Sequence, residues 1–214
     1  MLNAENGCIY LGKNSQVQEG ALLVGTMALL ESATANMGAK LRGDNLIGPY
    51  CKVGGEVANS ILMGYSNKGH DGYLGNSVLG EWCNLGADTN TSNLKNNYSI
   101  VHVRLAPSEA AINTGQLFCG LLMGDHSKCG INTMFNTGTA VGVGSSLFGG
   151  GFMPKSIGNF SWGGEGGEIT PHQIDKMLET ERRVMARRTK TLSAEYEAVL
   201  RHLYAGGARG VIDL

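Results

Sequence analysis

Residues 11–57 read LGKNSQVQEGALLVGTMALLESATANMGAKLRGDNLIGPYCKVGGEV. Within them Leu11, Val17, Leu23, Leu29, Ala35, Leu41, Ile47 and Val53 fall six apart without a slip. Four residues after each comes a mostly small register: Ser15, Ala21, Met27, Ala33, Ala39, Asn45, Cys51 and Val57. An α-helix repeats at 3.6 residues and a plain strand at 2, so neither gives this beat. A parallel β-helix of hexapeptides does, each hexad making one flat side of a triangular coil and three making a turn. Aliphatic residues are then expected to point inward, small ones to pack where the prism narrows, and Gly12, Gly48 and Gly54 to supply backbone freedom at corners.

The beat returns as Met123, Cys129, Phe135, Val141 and Leu147, with Ser127, Thr133, Thr139 and Ser145 in the small register. It breaks over 58–73 and over 90–116. An insertion in a solenoid loops out from one face, often the functional one. We therefore expect a β-helix domain over 1–152 with an inserted loop at about 90–116. A Gly-rich linker and C-terminal helices follow over 153–214. Thr170-Pro171-His172-Gln173 reads as an N-cap, a first-turn proline and a capping-box glutamine. Ile174, Met177, Leu178, Val184 and Met185 form a helical stripe suited to docking on the β-helix or a neighbouring subunit. A second helix opens at Ser193, with Gly206 as its C-cap. Arg182, Arg183, Arg187, Arg188 and Lys190 read as a solvated face, or as partners for the phosphates of a nucleotide-like cofactor.

Composition narrows the function. The 214-residue chain has a formal net charge of −1, only 16% charged residues and 33 glycines. That balance carries no nucleic-acid footprint. No apolar run reaches 18 residues, so no membrane span is expected. The start, MLNAENGCIYLGKN, lacks a basic n-region and an apolar h-region. The five cysteines include no CxxC pair, and Cys51, Cys83 and Cys129 fall in the hexad registers as small buried hydrophobes. Together these features point to a reducing, cytoplasmic setting.

The densest chemical signal is GHDGYLGNSVLGEWCNLGADTNTSNLKNNY, residues 69–98. It resembles the acetyltransferase half of the bifunctional N-acetylglucosamine-1-phosphate uridylyltransferase/glucosamine-1-phosphate acetyltransferase family. That family carries G-H-x-x-Y-L-G, then N-I-G-A-G-T, then an asparagine-containing loop. Here these are Gly69-His70-Asp71-Gly72-Tyr73-Leu74-Gly75, Asn84-Leu85-Gly86-Ala87-Asp88-Thr89 and Asn93, with no gap from His70 to Asn93. The chain resembles still more closely, over nearly its whole length, the C-terminal halves of bacterial sugar nucleotidyltransferase-like proteins of that group.

The resemblance implies a left-handed β-helix, which periodicity cannot establish. It also implies transfer of an acetyl group from acetyl-CoA, as co-substrate, to an amino-sugar 1-phosphate or related sugar nucleotide. His70 corresponds to the family's catalytic base, a role suited to a near-neutral imidazole, and Glu56 to the glutamate supporting it. Tyr73, Asn84 and Asn93 correspond to residues holding the sugar phosphate, and Arg42, allowing a two-residue deletion, to the arginine gripping the acceptor phosphate. Ala87 corresponds to the place where backbone groups meet the acetyl-CoA thioester and an N–H stabilises the oxyanion. A homotrimer with its site between subunits is implied, and the 90–116 loop is expected to lack a partner within one chain.

There are departures. Ala58 stands where the family has a phosphate-binding lysine, with Lys68 and Lys95 as nearby substitutes. The nucleotide-binding start of the uridylyltransferase half is absent. Past Asn93 the match fades. The alternative is a non-catalytic trimerisation or regulatory module of a sugar-1-phosphate nucleotidyltransferase. A carbonic-anhydrase-type metal site needs three convergent histidines; His70, His102 and His126 lack that spacing, so no metal is expected. His126 reads as capping a corner.

Overall fold

The computed structural model describes residues 1–164 and 168–206. It is a left-handed parallel β-helix of about nine turns with a short C-terminal helical region. The end of the expected C-terminal part, residues 207–214, and the linker residues 165–167 lie outside the described residues.

The short strands of successive coils stack into three faces. The first face stacks Leu2–Asn3, Leu22–Val24, Lys40–Arg42, Glu56–Ala58 and Tyr73–Gly75. The second runs through eight strands, from Ile9–Leu11 to Ser156–Ile157. The third runs from Gln16–Val17 through Lys52–Val53, Asn67–Lys68, Asn84–Leu85, Lys128–Cys129 and Ser146–Leu147 to Ser161–Gly163. Solenoid strands thus continue past the boundary expected at 152. The aliphatic register pairs with itself from coil to coil, as in Leu23↔Leu41↔Val57↔Leu74. Leu23, Leu29, Leu41, Ile47 and Val53 are buried in one core with Cys51, Cys83 and Cys129. Burial pushes the Cys51 and Cys83 thiols up to about 12, which keeps them protonated and unreactive. The exceptions are Leu11, 43% exposed, and the half-buried Val17. They belong to the end coil, where no described coil stacks on the open side.

Three expectations need correction. First, the break at 58–73 is not an excursion. The chain stays in the prism on a shorter coil: Val53 pairs with Lys68, fifteen residues on, where the regular step is eighteen, as from Ala35 to Val53. Second, Gly12, Gly48 and Gly54 are needed for close approach and not for unusual dihedrals. A Cβ on Gly54 would lie 2.4 Å from the Gly69 carbonyl of the next coil, whereas its neighbour Gly55 takes the left-handed φ of +65°. Third, the loop does have a partner in its own chain. It forms an antiparallel ribbon, His102–Val103 with Ile112–Asn113, and buries Val101 and Val103 against Ala140. Before it leaves the prism, Asn90–Thr91 pairs with Met134–Phe135 as an ordinary coil strand.

The helical region also differs at its start. Thr170–Pro171 is not a cap but an antiparallel strand on Ser161–Gly163. The backbone of Thr170 is taken up by Trp162, so helix α1 begins later, at Ile174, and runs to Ala186. Helix α2 spans Ala194–Ala205 as expected, with the Ser193 hydroxyl accepting from the Tyr196 amide and Gly206 at its C-cap. Met177, Leu178, Met185 and Leu200 dock on Trp82 and Phe160 of the solenoid. No described helix is long and apolar enough to cross a membrane.

Candidate active site

The segment 69–72 turns the chain from the third face to the first. It stacks directly on the Gly54-Gly55 corner, which opens the strand of Glu56. His70 sits at this turn with an exposed side chain. The strand that follows begins at Tyr73, which pairs with Glu56, and Glu56 pairs with Lys40. Alternation along strands sends Lys40, Arg42, Glu56 and Tyr73 outward on one face. Arg42 Nε donates to Glu56 Oε1 at 2.8 Å. The Glu56 hydrogen bond, outweighing partial burial and aided by Tyr73, holds the guanidinium above its ordinary range. The Asn93 amide donates to Tyr73 Oη at 3.0 Å and to Asn76 Oδ1 at 2.7 Å. Arg42, Glu56, Tyr73 and Asn93 therefore form a row of polar groups alongside the His70 corner.

The corner is held from inside by a lysine. Lys68 occupies the register of Val53 and Leu85, where every neighbour is apolar, and is 1% exposed. Its ammonium donates to the carbonyls of Gly54 at 3.2 Å, His70 at 2.5 Å and Asp71 at 3.0 Å. From outside, the Asn36 amide donates to the Gly69 carbonyl at 2.8 Å, and the Asp88 amide to the Asp71 carbonyl at 3.0 Å. The turn carrying His70 is thus bonded on both sides while the imidazole itself points to solvent. The core position of Lys68 escaped the sequence reading because the hexad count was lost at 58. Counted as a shortened coil, the same sequence puts it in the core register.

Burial lowers the Lys68 pKa to about 8, with Asp71 and Asp88 opposing the shift. The folded pKa is below the unfolded 10.5, so between these values the unfolded chain binds more protons. Unfolding free energy of the wild type is expected to rise through pH 8–10.5 relative to Lys68→Met, by up to about 1.4 kcal/mol per pH unit. Paired denaturant titrations across that range measure it. Parallel curves for the two proteins would show that the lysine does not titrate there.

Other site residues fall elsewhere. Ala87 lies one coil above His70's turn, and its carbonyl accepts from the Asn132 amide at 2.8 Å. Asn84 is not brought to the Tyr73 row. It faces outward on the third face, in line with Lys52, Asn67 and Lys128, in a groove of about 440 Å³ beneath α1. Ala58 is buried between Arg42 and Gly75. Neither proposed lysine replaces the one expected there. Lys68 is consumed inside the prism, and Lys95 is tied to its own loop through Ser99 and the Ile100 carbonyl.

His126 is more than a corner cap. It is buried, its Nδ1 2.8 Å from Glu181 of α1 and its Nε2 2.8 Å from the Tyr196 hydroxyl of α2. Lys128 also bonds Glu181. His126 takes a left-handed φ of 61°, like Tyr50, Tyr65 and Trp82 in the same corner column. Those three rings form a stack with centroids 5.0 and 4.1 Å apart. Among the described residues no three His, Cys, Asp or Glu side chains gather as metal ligands.

No family model matches the chain. It is similar to the bifunctional protein GlmU of Methanocaldococcus jannaschii, 38% identical over 87 residues, covering 41% of this chain and 21% of that protein. It is also similar to a bifunctional sugar-1-phosphate nucleotidylyltransferase/acetyltransferase of Sulfurisphaera tokodaii, 25% identical over 154 residues, covering 71% of this chain and 38% of that one. The chain therefore spans about a fifth to two fifths of the length of these relatives. Among solved structures, the polySia-specific acetyltransferase NeuO matches with a TM-score of 0.52 at 15% identity, over 88% of this chain and 97% of that one, a likeness of fold.

Proposed function

We propose that this chain is an acyltransferase that moves the acetyl group of acetyl-CoA to the amine of an amino-sugar 1-phosphate or related sugar nucleotide. The observation that carries the reading is the row Arg42, Glu56, Tyr73 and Asn93 beside the turn of His70. Cation, carboxylate, phenol and amide together suit a phosphorylated, polyhydroxylated ring. The name of the Sulfurisphaera tokodaii relative, which joins sugar-1-phosphate nucleotidyl transfer to acetyl transfer, supports the same substrate class.

The amine nitrogen attacks the thioester carbonyl carbon, and His70 takes the proton the amine must lose. A C–N bond forms, the C–S bond breaks, and coenzyme A leaves as a thiolate that acquires a proton. Glu56, bonded to Arg42, orients the row, and Arg42 with Lys40 meets the acceptor phosphate in place of the lysine that Ala58 lacks. Asn84 lies on another face of the prism and takes no part in this row; a homotrimer whose site lies between subunits fits this reading. A cytoplasmic location, where acetyl-CoA is at hand, fits this reading.

A second reading is favoured by Ala58: a solenoid that trimerises and regulates a nucleotidyltransferase without catalysis. Incubation with acetyl-CoA and a panel of amino-sugar phosphates, following free thiol, separates the two. Acceptor-dependent release is expected. No release above the acetyl-CoA blank with any acceptor would leave only the second reading.

A further inference from the structure

The groove under α1 lies on the third face, whereas the Arg42 row lies on the first. Its floor is a column of outward side chains in register on the third face: Lys52, Asn67, Asn84 and Lys128. Strand spacing sets the two lysines roughly 14 Å apart at the backbone, with the two amides between them. Its wall is the end of α1, which contributes Arg187 and Arg188. Arg188 donates to Asn67 Oδ1 at 3.1 Å, which brings its guanidinium down onto the floor. Among the described residues no carboxylate lines the groove. Glu181 lies beneath, buried, and compensates Lys128 alone of the four cations.

Convergence of like charges is unfavourable, and a net charge of −1 for the whole chain makes this local excess of cations a specific arrangement. The volume of about 440 Å³ is within the ordinary range of small-ligand sites and far exceeds a bare phosphate. Forked guanidinium donors match phosphoryl oxygens, and side-chain amides suit the hydroxyls or ester oxygens beside them. We propose that this groove binds the diphosphate of a small-molecule diphosphate ester, with Arg187, Arg188 and Lys52 holding the anion and Asn67 and Asn84 its flanking oxygens. The Tyr65 ring, stacked between Tyr50 and Trp82, leaves no face for a base, so recognition rests on the diphosphate.

The test uses inorganic pyrophosphate as probe, titrated calorimetrically into the chain at low ionic strength. Saturable binding is expected, weakened about ten- to hundredfold in Arg187→Gln/Arg188→Gln, the usual effect of losing charge-assisted hydrogen bonds. Lys52→Gln, on an exposed strand position, should weaken it as well and guards against a helix that detaches in the double variant. Competition then identifies the ester: a nucleotide sugar or a coenzyme A thioester should displace the probe. Absence of binding, equal binding by both variants, or displacement by neither ester would overturn the proposal. None of these readouts depends on acetyl transfer.

Discussion

His70→Ala is expected to lower turnover about 10²- to 10⁴-fold, the usual contribution of a positioned general base. Its Tm should barely move. The imidazole is exposed, and the bonds that hold the turn run to backbone atoms: the Gly69, His70 and Asp71 carbonyls, bonded by Asn36, Lys68 and Asp88. Alanine keeps every one of them. The Michaelis constant for the acceptor should change little, because the row from Arg42 to Asn93 does not pass through the imidazole. Steady-state kinetics and thermal denaturation together check this. Full activity, or unfolding at unchanged pH, would show that His70 is not the base.

Glu181→Ala should be the most destabilising single change in the helical region. The glutamate is 1% exposed and receives His126 and Lys128 from the solenoid. Burial pushes its carboxyl up, but the His126 hydrogen bond and the Lys128 charge outweigh that and hold it below the usual range. Removing it leaves the buried His126 and the half-buried Lys128 unmatched, a loss of about 3 kcal/mol. The effect should be local, because each coil of a solenoid touches only its neighbours. Hydrogen exchange should show loss of protection over α1 and α2, with coils before residue 60 unaffected. The depressed folded pKa also sets the acid response. The stabilisation is complete above the ordinary glutamate range and lost as pH falls through the lowered value. The wild type should therefore approach the variant's stability in acid. A variant with unchanged helix protection would mean that the apolar contacts of Met177, Leu178 and Met185 suffice to dock the helices.

The sequence made the solenoid legible because a period of six has few other structural meanings, and the buried registers from Leu23 to Val53 follow it position by position. What escaped the count was whatever changed the coil length. Shortening by three residues moved Lys68 into the core register and made the prism look interrupted. The loop's burial against Ala140 was illegible for a related reason: Val101 and Val103 lack a repeat to place them. Thr170-Pro171 carried a sound capping pattern that sheet pairing with Trp162 overrode. In the site, the motif around Gly69–Gly75 located the turn, and strand register then joined Arg42, Glu56 and Tyr73 across three coils. Asn84 could not be separated from that group by sequence, since only the register shows which face a residue occupies.

The proposed reaction is acyl transfer to an amine at the His70 corner. Its most direct test follows acetyl-CoA labelled with ¹³C at the thioester carbonyl by NMR, in the presence of an amino-sugar 1-phosphate. Conversion of the thioester signal to an amide signal is expected with the wild type, and its near abolition with His70→Ala. Label appearing only as free acetate would rule out acyl transfer to the amine, and amide forming equally fast with the variant would rule out His70 as the base.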